Sequence, residues 1–106
     1  MRRGEVWWAS LPAPWERRPV LLLARDDAYA VLTWVMVAPF TMTQRAIPTA
    51  VKLTPDEDGV PRICVAALDH IQSIRKGWLD GYITTLSADR MRDVDEAIHF
   101  ALDLTC

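Results

Sequence analysis

Three short segments of this chain carry side chains able to handle a phosphate or a base. The first is Trp15-Glu16-Arg17-Arg18-Pro19, which leads into an apolar run. An arginine at the mouth of a buried strand is well placed to bind a phosphate. Its planar fork donates bidentately, and it stays charged at any physiological pH. The plainer alternative is an arginine that pins its loop by pairing with a nearby carboxylate. The second segment, Pro39-Phe40-Thr41-Met42-Thr43-Gln44-Arg45, offers two hydroxyls, an amide and a guanidinium within five residues. Such groups contact phosphate or base edges; equally, they form a polar turn with Thr41 bonded to nearby backbone. The third, Asp69-His70-Ile71-Gln72-Ser73-Ile74, reads as a polar strand start. A histidine beside an acid there could supply a proton acceptor or a base-edge contact, or be a satisfied structural histidine.

No Gly-rich phosphate loop, nucleophile elbow or metal-ligand pair accompanies these segments. The two His (His70, His99) and two Cys (Cys64, Cys106) stand at unrelated spacings, so no metal site and no cofactor are expected. Nor do two cysteines make a disulfide framework. Cys64, inside Ile63-Cys64-Val65-Ala66-Ala67, reads as a small buried hydrophobe.

Positioning these groups falls to short strands. Glu5 to Leu11 is bulky and aromatic and ends at Pro12-Ala13-Pro14. Val20 to Ala24 is continuously apolar, as befits a central strand covered on both faces. Val31 to Ala38 predicts a strand stopped by Pro39, and Ala50 to Leu53 another, followed by the acidic turn Thr54-Pro55-Asp56-Glu57-Asp58-Gly59. Ile63 to Ala67 and His70 to Ile74 complete five or six strands. The period then changes. Ser87 is placed to cap a helix running to about Leu104, with Asp89 near its positive end. Met91, Val94, Ile98, Ala101 and Leu102 share one face, while Arg92, Asp95, Glu96 and His99 point to solvent. The expected fold is β-rich α+β: a small barrel or bent antiparallel sheet with a C-terminal helix.

With 106 residues, 51% hydrophobic and 25% charged, the chain has the composition of one globular domain, expected to span residues 1–106. No apolar run reaches the roughly 18 residues that span a bilayer, and no signal-type apolar segment follows Met-Arg-Arg-Gly-Glu. A cytoplasmic protein is expected, with no membrane partner. The net charge of −2 argues against a general nucleic-acid coat protein. That average hides a polarity. Residues 1–53 hold seven basic and four acidic side chains, and residues 54–106 hold five and ten.

Taken in order, these segments resemble the MazF/PemK family of toxin endoribonucleases, the toxin halves of bacterial toxin–antitoxin modules. Arg3-Gly4-Glu5-Val6-Trp7-Trp8 is similar to the family's opening strand, and Arg18-Pro19-Val20-Leu21-Leu22-Leu23 to its Arg-Pro strand. Thr41 through Thr49 resembles its hydroxyl-rich segment running into Pro-Thr. Asp69 through Ile74 resembles its Asp/Glu-Gln-Ile-Arg-Thr/Ser-Ile stretch, and Leu86-Ser87 its entry to the last helix. The resemblance implies a small SH3-like, CcdB-type barrel acting as a homodimer. It implies metal-independent cleavage of single-stranded RNA by 2′-OH attack, leaving 2′,3′-cyclic phosphate and 5′-OH ends. A cognate, MazE-like antitoxin with an acidic tail would be the inhibitory partner.

By the same resemblance Arg18 matches the catalytic arginine, neutralising the phosphorane and protonating the leaving 5′-oxygen. Thr41 matches the catalytic Ser/Thr that holds a phosphoryl oxygen. Thr43, Gln44 and Arg45 would line the RNA groove beside Arg17, and Trp15 would stack on a base. The loop before Arg18 is shorter than in many relatives, which makes Glu16 the equivalent of their supporting carboxylate. His70 stands where many carry Gln, and would serve either as the general base or as a base reader. Two other classes stay open: a CcdB-like gyrase-poisoning toxin, which would lack the Arg…Thr pair, and a non-catalytic SH3-like binding module. For the latter, the five tryptophans (Trp7, Trp8, Trp15, Trp34, Trp78) could form a surface, although Trp7, Trp8 and Trp34 are expected to divide between core and dimer interface.

Overall fold

Short runs rich in β-branched and aromatic residues recur between Glu5 and Thr85, and they fold into a continuous antiparallel sheet. The computed structural model describes residues 1–43 and 46–104. Its strands are β1 (Glu5–Ser10), β2 (Arg17–Leu22), β3 (Trp34–Thr41), β4 (Ala50–Leu53), β5 (Cys64–Ala67), β6 (Gln72–Arg75) and β7 (Leu79–Thr85). They run in the order β4-β5-β3-β2-β1-β7, with β6 also paired to β3. Three helices accompany them: α1 (Ala28–Val31), α2 (Pro55–Asp58) and α3 (Ala88–Ala101).

The alternation of β2 and β3 builds two cores on opposite faces of the sheet. Leu21, Ala38 and Phe40 face one core, which α3 covers with Val94 and Ala97. Val20, Leu22, Val35 and Val37 face the other, with Tyr29, Ile74 and Leu79. Thus the apolar run at β2 is the doubly covered central strand its composition predicts. Cys64 is buried, and burial pushes its thiol up to about 11.

Several local expectations are corrected. Pro39 does not stop β3; the strand passes through it to Thr41. Pairing with β6 ends at Val37 and pairing with β5 begins at Phe40, so the proline falls where the strand changes partners on that side. The acidic turn is the helical turn α2, with Thr54 as its cap and Gly59 closing it at φ 73°. Val31 ends α1 instead of opening a strand. His70 closes a 3-10 turn, Leu68–His70, ahead of β6. β7 is a seventh strand, and it lies on the sheet edge beside β1. Ser87 does cap α3, accepting from the Arg90 amide, but Leu102 lies beyond the helix and is exposed. Asp95, half-exposed, also pairs with Arg3 at 2.7 Å and ties α3 to the entry of β1.

Candidate functional site

Arg18 and Thr41 sit on neighbouring strands. The register of β2 and β3 sets Val20 opposite Pro39 and Leu21 opposite Ala38. Continuing it by two residues toward the strand ends sets Arg18 opposite Thr41, on one face of the sheet. Side chains directly opposite in an antiparallel pair have Cβ atoms roughly 5 Å apart. A hydrogen bond confirms the approach: Arg18 Nη1 donates to the Phe40 carbonyl at 3.2 Å.

The rest of the Arg18 fork is held by its own loop. Nε donates to the Trp15 carbonyl at 2.6 Å, and the guanidinium lies 5.0 Å from the Trp15 ring centre. No carboxylate pairs with it among the described residues. Two backbone carbonyls therefore orient the arginine without neutralising it. The charge stays available to an anion, and the loop-pinning alternative is realised through carbonyls instead of an acid.

Thr41 ends β3 and accepts from the Thr43 amide at 3.3 Å. The polar-turn expectation is met in this contact. A hydroxyl that accepts this way keeps its own hydrogen for a ligand. Thr41 also stands on the wall shared by two cavities. One, of about 240 Å³, is lined by Trp15, Thr43, Thr49, Asp69 and His70 as well. The other, of about 330 Å³, includes Arg17, Arg18, Phe40, Met42 and Arg62. Together they make a trough that passes over the Arg18–Thr41 pair.

The remaining predicted residues divide. Trp15 and His70 meet edge to face, with ring centres 5.3 Å apart. Trp15 therefore touches both Arg18 and His70, and braces the site at least as much as it offers a stacking face. Arg17 points away from Arg18, as strand alternation requires. It pairs with Asp80 at 3.0 Å and lies 4.6 Å from the Trp8 ring centre. Hydrogen bonds from Arg17 and then from Ser10 hold the Asp80 carboxyl below its ordinary value. Arg17 is thus a partly satisfied cation at the rim. Glu16 is exposed, lines neither cavity and has φ 58°; its carbonyl, not its carboxylate, closes the loop by accepting from Leu11. The structure does not bring the Glu16 side chain to the Arg18–Thr41 pair. Gln44 and Arg45 lie outside the described residues. Of the tryptophans, Trp7 packs on the second core, Trp8 is half-buried beside Arg17, and Trp34 is exposed with Arg75 over its ring.

Sequence reasoning does not single out Arg62, and it names Thr49 and Asp69 only as members of their segments, with no link between them. Arg62 enters the second cavity from the approach to β5. Thr49 and Asp69, twenty positions apart, meet in the first cavity through a 2.6 Å bond from the Thr49 hydroxyl. Only a β4–β5 pairing argument, joining Ala50 to Ala67, could have brought these two together.

A family model described as PemK-like, MazF-like toxin of type II toxin-antitoxin system matches residues 2–102. A Mycobacterium tuberculosis protein named probable endoribonuclease MazF5 is 39% identical over 101 residues, covering 95% of this chain and 92% of that protein. The solved structure of the M. tuberculosis toxin MazF-mt6 superposes with a TM-score of 0.86 at 33% identity, over 96% of this chain and 99% of that one. A mycobacterial endoribonuclease solved with its cognate antitoxin also superposes at 0.86, over 100% and 98% of the two chains; at 24% identity it speaks to the fold alone.

Proposed function

We propose that this chain, which belongs to the PemK-like, MazF-like toxin family of type II toxin–antitoxin systems, cuts single-stranded RNA where Arg18 and Thr41 face each other. As a member of that family it is the toxin side of such a module and an endoribonuclease. The observation that carries the site assignment is that Arg18 and Thr41 line one cavity, with the Arg18 guanidinium bonded to the carbonyl of Phe40, the residue before Thr41. That cavity joins a guanidinium oriented by two carbonyls, with no carboxylate paired to it among the described residues, to a hydroxyl.

The chemistry this pair suits is internal transphosphorylation. The ribose 2′-oxygen forms a bond to the adjacent phosphorus and the bond to the 5′-oxygen breaks. The products are a 2′,3′-cyclic phosphate and a 5′-OH. The step needs charge stabilisation and proton transfer more than a covalent nucleophile. Arg18 would neutralise the phosphorane and donate toward the leaving 5′-oxygen. Thr41 would donate to a non-bridging oxygen. For the proton leaving the 2′-OH, His70 is better supported than Glu16, because His70 lines the cavity that Thr41 shares and Glu16 does not. Thr43 and Arg62 would extend the RNA contact on either side. We assign the inhibitory partner to a MazE-like antitoxin, as membership of a toxin–antitoxin family supports, and the working form to a homodimer.

Single-turnover cutting of a long single-stranded RNA tests the site. Thr41→Val should lower the rate about 10²-fold or more while leaving the thermal melt within a few degrees. Wild-type cutting rates in Thr41→Val would remove the assignment.

A further inference from the structure

The cavity of about 240 Å³ contains an anion that a phosphate-binding site has no use for. Asp69 is exposed on the 3-10 turn and lines this cavity with Trp15, Thr41, Thr49 and His70. Thr49 is 7% exposed, and its hydroxyl donates to Asp69 Oδ2 at 2.6 Å. Its carbonyl accepts from the Leu68 amide at 3.0 Å, which fixes the turn that bears Asp69. The carboxylate is therefore held in place by a buried partner. Among the described residues, no hydrogen bond reaches its other oxygen.

An ionised carboxylate only accepts hydrogen bonds, and it repels phosphate. On an RNA trough its complement is a donor on a base. Cytosine, adenine and guanine each present an exocyclic amino group. Uracil has only its N3–H, flanked by two carbonyls that a carboxylate repels. Apolar Ile47, Ala50 and Val65 and the edge-to-face Trp15–His70 pair supply walls for a flat ring. The volume lies below the roughly 300–1,000 Å³ of ordinary small-molecule sites, as suits a single base.

We propose that Asp69, held by Thr49, is a specificity-determining residue that accepts from the amino group of a base seated beside the scissile phosphate. The inference rests on the endoribonuclease reading above. Cytosine, adenine and guanine are admitted at this position and uracil is rejected.

The test uses the full chain and an RNA of mixed sequence. Mapping the cuts should show one position near the scissile bond that excludes uracil. A short RNA carrying the preferred base there is then compared with its amine-deleted counterpart: 2-pyrimidinone for cytosine, purine for adenine, inosine for guanine. Wild-type kcat/KM should fall about ten- to one-hundred-fold on amine deletion. Asp69→Asn should cut the two RNAs at similar rates. A wild-type protein indifferent to the amine overturns the proposal, and that arm does not depend on how the variant folds. So does an Asp69→Asn protein that keeps the full amine preference, or one that loses cutting at every site with its base profile intact, which would mark a proton-transfer role. Failure to cut any RNA would overturn the endoribonuclease reading along with it, whereas cutting without amine dependence overturns this inference alone.

Discussion

Arg18 has its geometry set by two carbonyls and a ring, so both its charge and its shape matter. Arg18→Ala should cost about 10²–10³-fold in cutting rate, the usual loss when one oriented electrostatic group is removed. Arg18→Lys should recover little of it, because an ammonium cannot satisfy Trp15 and Phe40 and still present a fork to phosphate. Rate constants for the two variants, measured beside their melting curves, check this.

At the rim, Asp80 gives a pH prediction. Its carboxyl is held below the ordinary 3.8 by Arg17 and Ser10. A depressed carboxylate contributes stability that is present above the unfolded value and lost as pH falls through the folded one. The Arg17–Asp80 pair should therefore be intact across the neutral range and yield only in acid below pH 3.8. An NMR titration should place the Asp80 midpoint below 3.8 and return it upward in Arg17→Ala; equal midpoints would contradict the pairing. His70→Gln should lower the cutting rate, and wild-type rates in that variant would exclude His70 as the base. Cys64, pushed up to about 11 by burial, should resist thiol reagents at about pH 8 until the protein is unfolded.

At the scale of elements, α3 is clamped to α2 through one residue. Arg90 donates to Asp58 at 2.9 Å and to Glu57 and Asp93 at 3.1 Å. The Asp58 side chain is only 4% exposed, and its second oxygen takes the Thr54 amide. Arg90→Met would leave that carboxylate buried without its cation, at a cost of about 3 kcal/mol. Urea unfolding should show the loss as a lower midpoint at unchanged slope. Gly59, which ends α2, has φ 73°, and a Cβ there would lie 2.8 Å from the Thr84 hydroxyl. Gly59→Ala combines left-handed strain with that clash and should cost at least about 1 kcal/mol by the same measurement.

These elements also show where sequence reading stops. β4 is found at its true bounds, because Ala50-Val51-Lys52-Leu53 alternates between turn signals. The Ser87 cap is found for the same local reason. β7 is missed because Asp80-Gly81 interrupts its apolar pattern; that interruption coincides with the irregular pairing beside Trp8 and Ala9. Pro39 reads as a stop because its tolerance depends on which strand lies alongside, and that is a tertiary fact. For the site, Arg18 and Thr41 are legible as side-chain types in resembling segments. Their apposition is not, since it depends on strand register. Thr49 with Asp69, and Arg62 with Arg18, come together only through β5 and its neighbours.

The whole molecule carries −2, and the proposed RNA site has to work within that acidic background. Much of the acid is internally spent or remote: Asp58, Glu57 and Asp93 on Arg90, and Asp95 on Arg3. Arg18 has no such partner among the described residues, and among them the Arg62 guanidinium hydrogen-bonds only to the Met42 sulfur. The field at the trough is therefore local. Binding should be salt-sensitive but shallow. With Arg17, Arg18 and Arg62 engaged, a log–log slope of about −2 is expected for a single strand. A slope several times steeper would mean that a wider basic surface is used.

The central claim is that Arg18 and Thr41 form a phosphoryl-transfer site needing no metal ion. The most direct test incubates the purified chain with a long single-stranded RNA in excess EDTA and examines both new ends at each cut. Discrete cuts leaving 2′,3′-cyclic phosphate and 5′-OH, and lost in Arg18→Ala, are predicted. Cutting abolished by EDTA, 5′-phosphate ends, or an Arg18→Ala protein that cuts as well as wild type would contradict the account.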